Sequence, residues 1–126
     1  MAKLESVAWI YKRDGNVLCV KTAGKDKYFL PGGKLDVGET RQLGLLREVK
    51  EELDVDLVAD TIAYAFTVLD EAYGLKGTDL EMHCYTAEFD GEIVPSSEIE
   101  CVKWIDKSGI DECAPAAQQV VLRVLR

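Results

Sequence analysis

The sequence predicts an α/β fold, with a mixed β-sheet packed between helices, on three observations. Apolar-rich segments recur as candidate strands, and two stretches carry helical periodicity. Their order along the chain is β-β-β-α-β-β-β-α. Turn chemistry separates these segments, and no internal repeat, low-complexity tract or interdomain linker interrupts them. The 126 residues are read as one domain, 1–126, large enough for an ordinary core.

Residues 6–12 and 17–22 read as strands joined by the hairpin turn Arg13-Asp14-Gly15-Asn16. A short strand is expected at 28–30, leading into a tight turn, Leu30-Pro31-Gly32-Gly33-Lys34, whose glycines can bring bare backbone close to a ligand. From residue 40 to residue 53 there is no proline and a single glycine. Leu43, Leu46, Val49 and Leu53 recur there three or four residues apart, as the apolar stripe of an amphipathic helix. Residues 57–69 are expected to form one long strand with Ile62, Tyr64, Phe66 and Val68 on one face. Residues 70–79, with Gly74 and Gly77, read as a loop, 80–89 as a strand ended by Asp90-Gly91, and 101–105 as a further strand. A last helix is expected over 115–125, with Pro115 in its first turn and Val121, Leu122 and Leu125 on the core.

Composition narrows the function. A hydrophobic share of 48% with 30% charged residues describes a soluble globular protein, and no apolar run reaches the length of a membrane span. The first five residues lead straight into a strand-like segment and lack the apolar stretch of a signal peptide, so the chain reads as cytoplasmic, with no membrane partner. Cys19, Cys84, Cys101 and Cys113 form neither a C-x-x-C pair nor a zinc spacing and read as core. A net charge of −8 argues against a nucleic-acid polymer, which needs a basic stripe to displace counterions. A small phosphorylated ligand is compatible with that charge, because bound cations neutralise it locally. His83, the only histidine, has no metal-ligand partner spaced with it and reads as structural.

The most informative stretch is 33–55, GKLDVGETRQLGLLREVKEELDV. On a helix, Glu48, Glu51 and Glu52 share one face opposite the apolar stripe. Like charges at that spacing destabilise a helix slightly, whereas a divalent cation such as Mg²⁺ reverses the balance, since it favours carboxylate oxygens and substrate phosphates. The bland alternative is a solvated glutamate face. Arg47, four residues before Glu51, is placed to hold that carboxylate. A glycine, five residues, Glu39, seven residues, and then Arg47-Glu48-Val49-Lys50-Glu51-Glu52 resemble the Nudix hydrolase signature, G-x5-E-x7-R-E-U-x-E-E-x-G-U, where U is a bulky aliphatic residue. Every fixed position matches except the last glycine, where Asp54 stands.

The resemblance implies a Nudix-type α/β/α sandwich and a Mg²⁺-dependent phosphoanhydride hydrolase, with Mn²⁺ as a substitute cation. It assigns Glu48, Glu51, Glu52 and the Gly33 carbonyl as metal ligands, Arg47 as the residue that orients a catalytic glutamate, and Glu39 as support for the motif. Lys34 is the matching phosphate-binding position, with an exposed turn lysine as its alternative. The general base lies on the helix, at Glu51 or Glu52, or on a later loop, where Glu98 is the candidate. Asp54 falls where the helix ends, commonly in a left-handed conformation that aspartate tolerates. In relatives that act on oxidised guanine nucleotides, an asparagine after a Pro-Ala pair reads the purine; here Ala117 follows Pro115-Ala116, with Gln118 and Gln119 as substitutes. Tyr28, Phe29, Phe66 and Tyr73 are the aromatic residues able to stack on a base, although such residues more often belong to the core.

The function expected is hydrolysis of a nucleoside triphosphate, or a modified one, to monophosphate and pyrophosphate. A nucleotide-sugar or ADP-ribose hydrolase is the second enzymatic reading, and a non-catalytic nucleotide sensor is the reading of another class. The partner expected is a small nucleotide, and a homodimer is left open.

Overall fold

The structure is a computed structural model that describes residues 2–125; Met1 and Arg126, the ends of the expected domain, lie outside the described residues. Its strands are β1 (Ala2–Trp9), β2 (Lys12–Arg13), β3 (Asn16–Thr22), β4 (Gly32–Lys34), β5 (Asp56–Leu57), β6 (Ala63–Glu71), β7 (Thr78–Thr86), β8 (Phe89–Asp90) and β9 (Ile99–Ile105). Its α-helices are α1 (Arg41–Leu53) and α2 (Pro115–Val124), and 3₁₀ turns span Ala59–Thr61 and Lys107–Glu112. One sheet has the order β4-β1-β7-β6 and is mixed: β1 and β7 run parallel, while β4 and β6 add antiparallel. A second sheet, β2-β3-β9, is antiparallel, and β5 pairs with β8.

Residues 6–10 and 17–20 are buried without a break, as strands covered on both faces must be. Side chains alternate between two cores. Val7, Trp9, Leu18 and Val20 pack with Leu45, Val49 and Leu53 of α1. Ala8, Ile10, Val17 and Cys19 pack with Ala117, Val120 and Val121 of α2. Helices thus cover opposite faces, in agreement with the α/β fold expected.

The turn at residues 13–16 forms as expected, with positive φ at Asp14 and Gly15 suiting a two-residue hairpin. Other elements differ. The expected long strand at 57–69 is two strands parted by the 3₁₀ turn, because β5 leaves to pair with β8. A register shift between Tyr64 and Phe66 then reverses the alternation. Phe66 and Val68 pack toward α2, Ile62 toward the α1 core, and Tyr64 is exposed. The segment 28–30 makes only isolated bridges, from Tyr28 to Cys113 and from Phe29 to Val20. The glycine turn is instead the edge strand β4. The buried stripe of α1 is Leu45, Val49 and Leu53; Leu46 is half-buried and Leu43 is 58% exposed, since the helix leans on β1 through the face led by Leu45. On α2, Val120 and Val121 are buried and Leu122 is exposed.

Candidate functional site

The caps of α1 fix which residues it presents. The Thr40 hydroxyl accepts a hydrogen bond from the Leu43 amide at 3.2 Å, satisfying one of the free donors of the first turn. At the other end Asp54 takes the left-handed conformation expected of the signature's missing glycine, φ 56° and ψ 34°, and its amide donates to the Lys50 carbonyl at 3.0 Å.

Between these caps Arg47 is the hub. Its Nε donates to Glu39 Oε2 and its Nη2 to Glu39 Oε1, both at 2.8 Å, a bidentate pair across eight residues. Its Nη1 donates to Glu48 Oε1 at 2.8 Å and reaches Glu51 Oε1 at 3.4 Å. The expected contact of Arg47 with Glu51 is present but is its longer one: its close partners are Glu39 and Glu48, and Glu51 remains half exposed. The guanidinium holds the Glu39 carboxyl down at about 2, chiefly by direct hydrogen bonding, and Arg47 is raised in return.

Glu48 and Glu52 meet the glycine strand. A Cβ at Gly33 would collide with the Glu48 carboxylate, and one at Gly32, where φ is 142°, with the Val7 carbonyl oxygen, so this approach requires glycine. The Gly32 amide donates to Glu52 Oε1 at 2.8 Å. Burial raises the Glu48 carboxyl against the pull of Arg47. Burial also pushes Glu52 up to about 8; the Gly32 amide opposes that shift, while Glu48 and Glu51 add to it. Among the described residues no cation pairs with Glu52.

The three helix glutamates do not converge by themselves. Among the described residues, the trio whose possible ligand atoms lie within 4.8 Å of one another is Glu5, Glu81 and His83. His83 Nε2 lies 2.8 Å from Glu5 Oε2 and 3.3 Å from Glu81 Oε1, and Nδ1 lies 2.9 Å from Thr67 Oγ1. Arg41 pairs with Glu5 at 3.3 Å and Lys3 with Glu81 at 3.0 Å, so both carboxylates already hold cations. This network joins β1, β6 and β7 to the first residue of α1, and strand pairing gives His83 the carboxylate neighbours that its sequence spacing did not show.

Beside Glu52, Gly32, Gly33 and Lys34 opens a cavity of about 280 Å³ between the sheets. Phe29, Tyr73, Leu80, Met82 and Ala117 line it. Of the four aromatic candidates, Phe29 and Tyr73 therefore reach the cavity. Tyr28 instead hydrogen-bonds Cys101 at 3.3 Å, and Phe66 lies under the Arg123 guanidinium, 4.1 Å from its ring centroid. Gln118 donates to the Cys113 carbonyl, and Gln119 to the Leu69 carbonyl and Asp70; neither replaces a base-reading amide on the cavity wall. Glu98 is exposed and away from the cavity lining. Its backbone carbonyl accepts from Ala23, and the neighbouring Ser96 amide donates to the Glu52 carbonyl at 2.9 Å, so its loop abuts the end of α1. The signature located the α1 residues; the cavity, assembled from β1, β7, α2 and the segment after β3, had no local signal.

No helix among the described residues is long and apolar enough to cross a membrane. The NUDIX domain family model matches residues 3–123. A MutT-like protein from Streptomyces ambofaciens is 34% identical over 103 residues, covering 82% of this chain; the chain spans 63% of that relative's length. The solution structure of the E. coli ORF135 protein superposes with a TM-score of 0.75 at 25% identity, covering 100% of this chain and 92% of that one. The crystal structure of MutT NUDIX hydrolase from Burkholderia pseudomallei shares the fold, with a TM-score of 0.80 at 22% identity and coverage of 98% and 99%. A signature helix whose carboxylates meet a glycine strand, and a match running nearly end to end, lead to one conclusion: the chain belongs to the NUDIX domain family.

Proposed function

We propose that this protein is a Mg²⁺-dependent pyrophosphohydrolase that converts a nucleoside triphosphate, or a modified one, to the monophosphate and pyrophosphate, with Mn²⁺ as a substitute cation. The observation that carries the reading is Glu52: a half-buried, largely desolvated carboxyl with no cationic partner among the described residues, held by the Gly32 amide where the glycine strand, α1 and the cavity meet. The surrounding donors suit a hard divalent cation, being the oxygens of Glu48, Glu51 and Glu52 and the Gly33 carbonyl. A cation bound there would keep these carboxylates ionised, polarise the phosphoryl group and acidify the attacking water.

The chain's own residues do the rest. The Gly32 amide fixes one oxygen of Glu52, so the carboxylate presents its other oxygen from a set position. Glu39 anchors Arg47, and Arg47 orients Glu48 and, more weakly, Glu51. Lys34 stands at the cavity mouth, where its ammonium meets phosphate charge. The apolar cavity takes the nucleoside. Water attacks the α-phosphorus, the bond from that phosphorus to the α-β bridging oxygen breaks, and a carboxylate accepts the water's proton. Glu52, on the cavity, is the first choice for that base; Glu98, on the loop abutting α1, is the second.

The test is a panel of nucleoside triphosphates, nucleotide sugars and ADP-ribose at fixed Mg²⁺, with products identified. Release of pyrophosphate and monophosphate from triphosphates is the expected result. Exclusive turnover of a nucleotide sugar would replace the substrate class, and tight binding without turnover would make the protein a sensor.

A further inference from the structure

The cavity beside Glu52 is walled mostly by carbon, and among the polar residues that line it Ser6 is the buried one. Leu4, Leu80 and Met82 project into it from β1 and β7, and Ser6 stands among them. Strand alternation puts Ser6 on the face of Leu4, and its register partners are Met82 on β7 and Lys34 on β4. The residue is 7% exposed. Its hydroxyl hydrogen-bonds no other described residue, yet among the described residues no side-chain polar atom sealed from solvent goes unpartnered. The hydroxyl therefore keeps some solvent contact, and Ser6 lines the cavity.

A hydroxyl set in a carbon wall without a partner is unfavourable, and Leu4 and Ala8, two residues away on the same face, show that the strand accepts apolar side chains there. Of the other polar side chains that line the cavity, Glu52 and Glu71 accept backbone amides, Thr22 is half-buried, and Lys25 and Lys34 are exposed. The Tyr73 hydroxyl donates to Asp26 at 2.8 Å, and the amides of Gln118 and Gln119 are turned to backbone carbonyls elsewhere.

We infer that Ser6 is a specificity-determining residue of this site, its hydroxyl hydrogen-bonding a polar atom of the nucleobase ring that lies against Leu80 and Met82. The inference rests on the nucleotide reading proposed above. A hydroxyl both donates and accepts, so it serves a ring carbonyl in one base and an amino group in another. The protein therefore ranks bases by whether they offer either group at that position. A single neutral hydrogen bond sets the scale of the ranking at about 3- to 10-fold.

The experiment compares kcat/KM for the four common deoxynucleoside triphosphates, with Mg²⁺, in the wild type, Ser6→Ala and Ser6→Thr. Ser6→Ala should keep its circular dichroism spectrum and compress the ratio between best and worst bases by about 3-fold or more, chiefly through KM. Ser6→Thr, which keeps the hydroxyl, should retain the wild-type ranking. Equal scaling of all four substrates in Ser6→Ala, or an unchanged ratio, overturns the assignment. If the wild type hydrolyses none of them, the hydrolase reading fails separately, and calorimetric Kd ratios for the same nucleotides put the same question to Ser6. Absence of binding to any of them overturns this inference as well.

Discussion

Arg47 and Glu39 form a two-pronged ion pair, each guanidinium nitrogen 2.8 Å from its own carboxylate oxygen, and so join the loop before α1 to the middle of the helix. Glu39 Oε1 also accepts from the Asp36 amide at 3.0 Å, which fixes the loop's own turn. The pair therefore sets the pose of the residue that orients Glu48.

Glu39→Gln should lower stability at neutral pH and weaken the hold on Arg47. The carboxyl is held below its ordinary value of 4.5, at about 2. A depressed folded-state value means its contribution is complete above 4.5 and is lost as pH falls toward 2. Melting curves should show a gap between wild type and Glu39→Gln at pH 7 that narrows steadily below pH 4.5. A gap independent of pH would show that the ion pair does not supply it.

Glu52→Gln should retain the fold and reduce turnover by at least about a hundredfold, the scale of a lost proton acceptor or of impaired metal activation of water. Full turnover in EDTA, or unchanged turnover in folded Glu52→Gln, would sink the proposed chemistry.

The same carboxyl predicts a pH signature in the metal-free protein. Its value is raised from 4.5 to about 8, chiefly by burial. A raised folded-state value contributes stability that is fully present below 4.5 and lost as pH rises through 8. Metal-free wild type should therefore lose melting temperature across that window relative to Glu52→Gln, and Mg²⁺ added at pH 8 should restore it in the wild type far more than in the variant. Parallel curves would remove Glu52 as the desolvated ionising group.

Asp54→Gly should leave turnover within a few-fold and shift stability by about 1 kcal/mol or less. Glycine relieves the left-handed backbone at φ 56° but loses the Lys50–Asp54 contact at 3.4 Å, so the two effects oppose each other. Denaturant unfolding and steady-state kinetics check this, and a large gain in turnover would mean that the native motif is impaired.

Ala117 on the cavity wall carries no hydrogen-bonding group, and Gln118 and Gln119 face away. Common triphosphates should then differ in kcat/KM by no more than about two orders of magnitude, with no strong preference for 8-oxo-dGTP. A several-thousandfold preference for 8-oxo-dGTP over dGTP would require a purine-reading group elsewhere.

What the sequence determined by itself was local. Helical spacing grouped Glu48, Glu51 and Glu52 with Arg47, and apolar-rich segments at 6–12 and 17–22 marked strands, because both signals depend on neighbours within a few residues. Even there the expected stripe held at Val49 and Leu53 but not at Leu43, since the lean of α1 against β1 is a tertiary choice that buries Leu45 instead. The tertiary structure alone decided the bulge that turns Phe66 away from Tyr64, the division of Arg47 between Glu39 and Glu48, and the burial that raises Glu52. It also brought Ser6, Met82 and Ala117 around one cavity. Those contacts join residues tens of positions apart, and desolvation depends on everything packed around a group, so neither leaves a periodic trace in the chain.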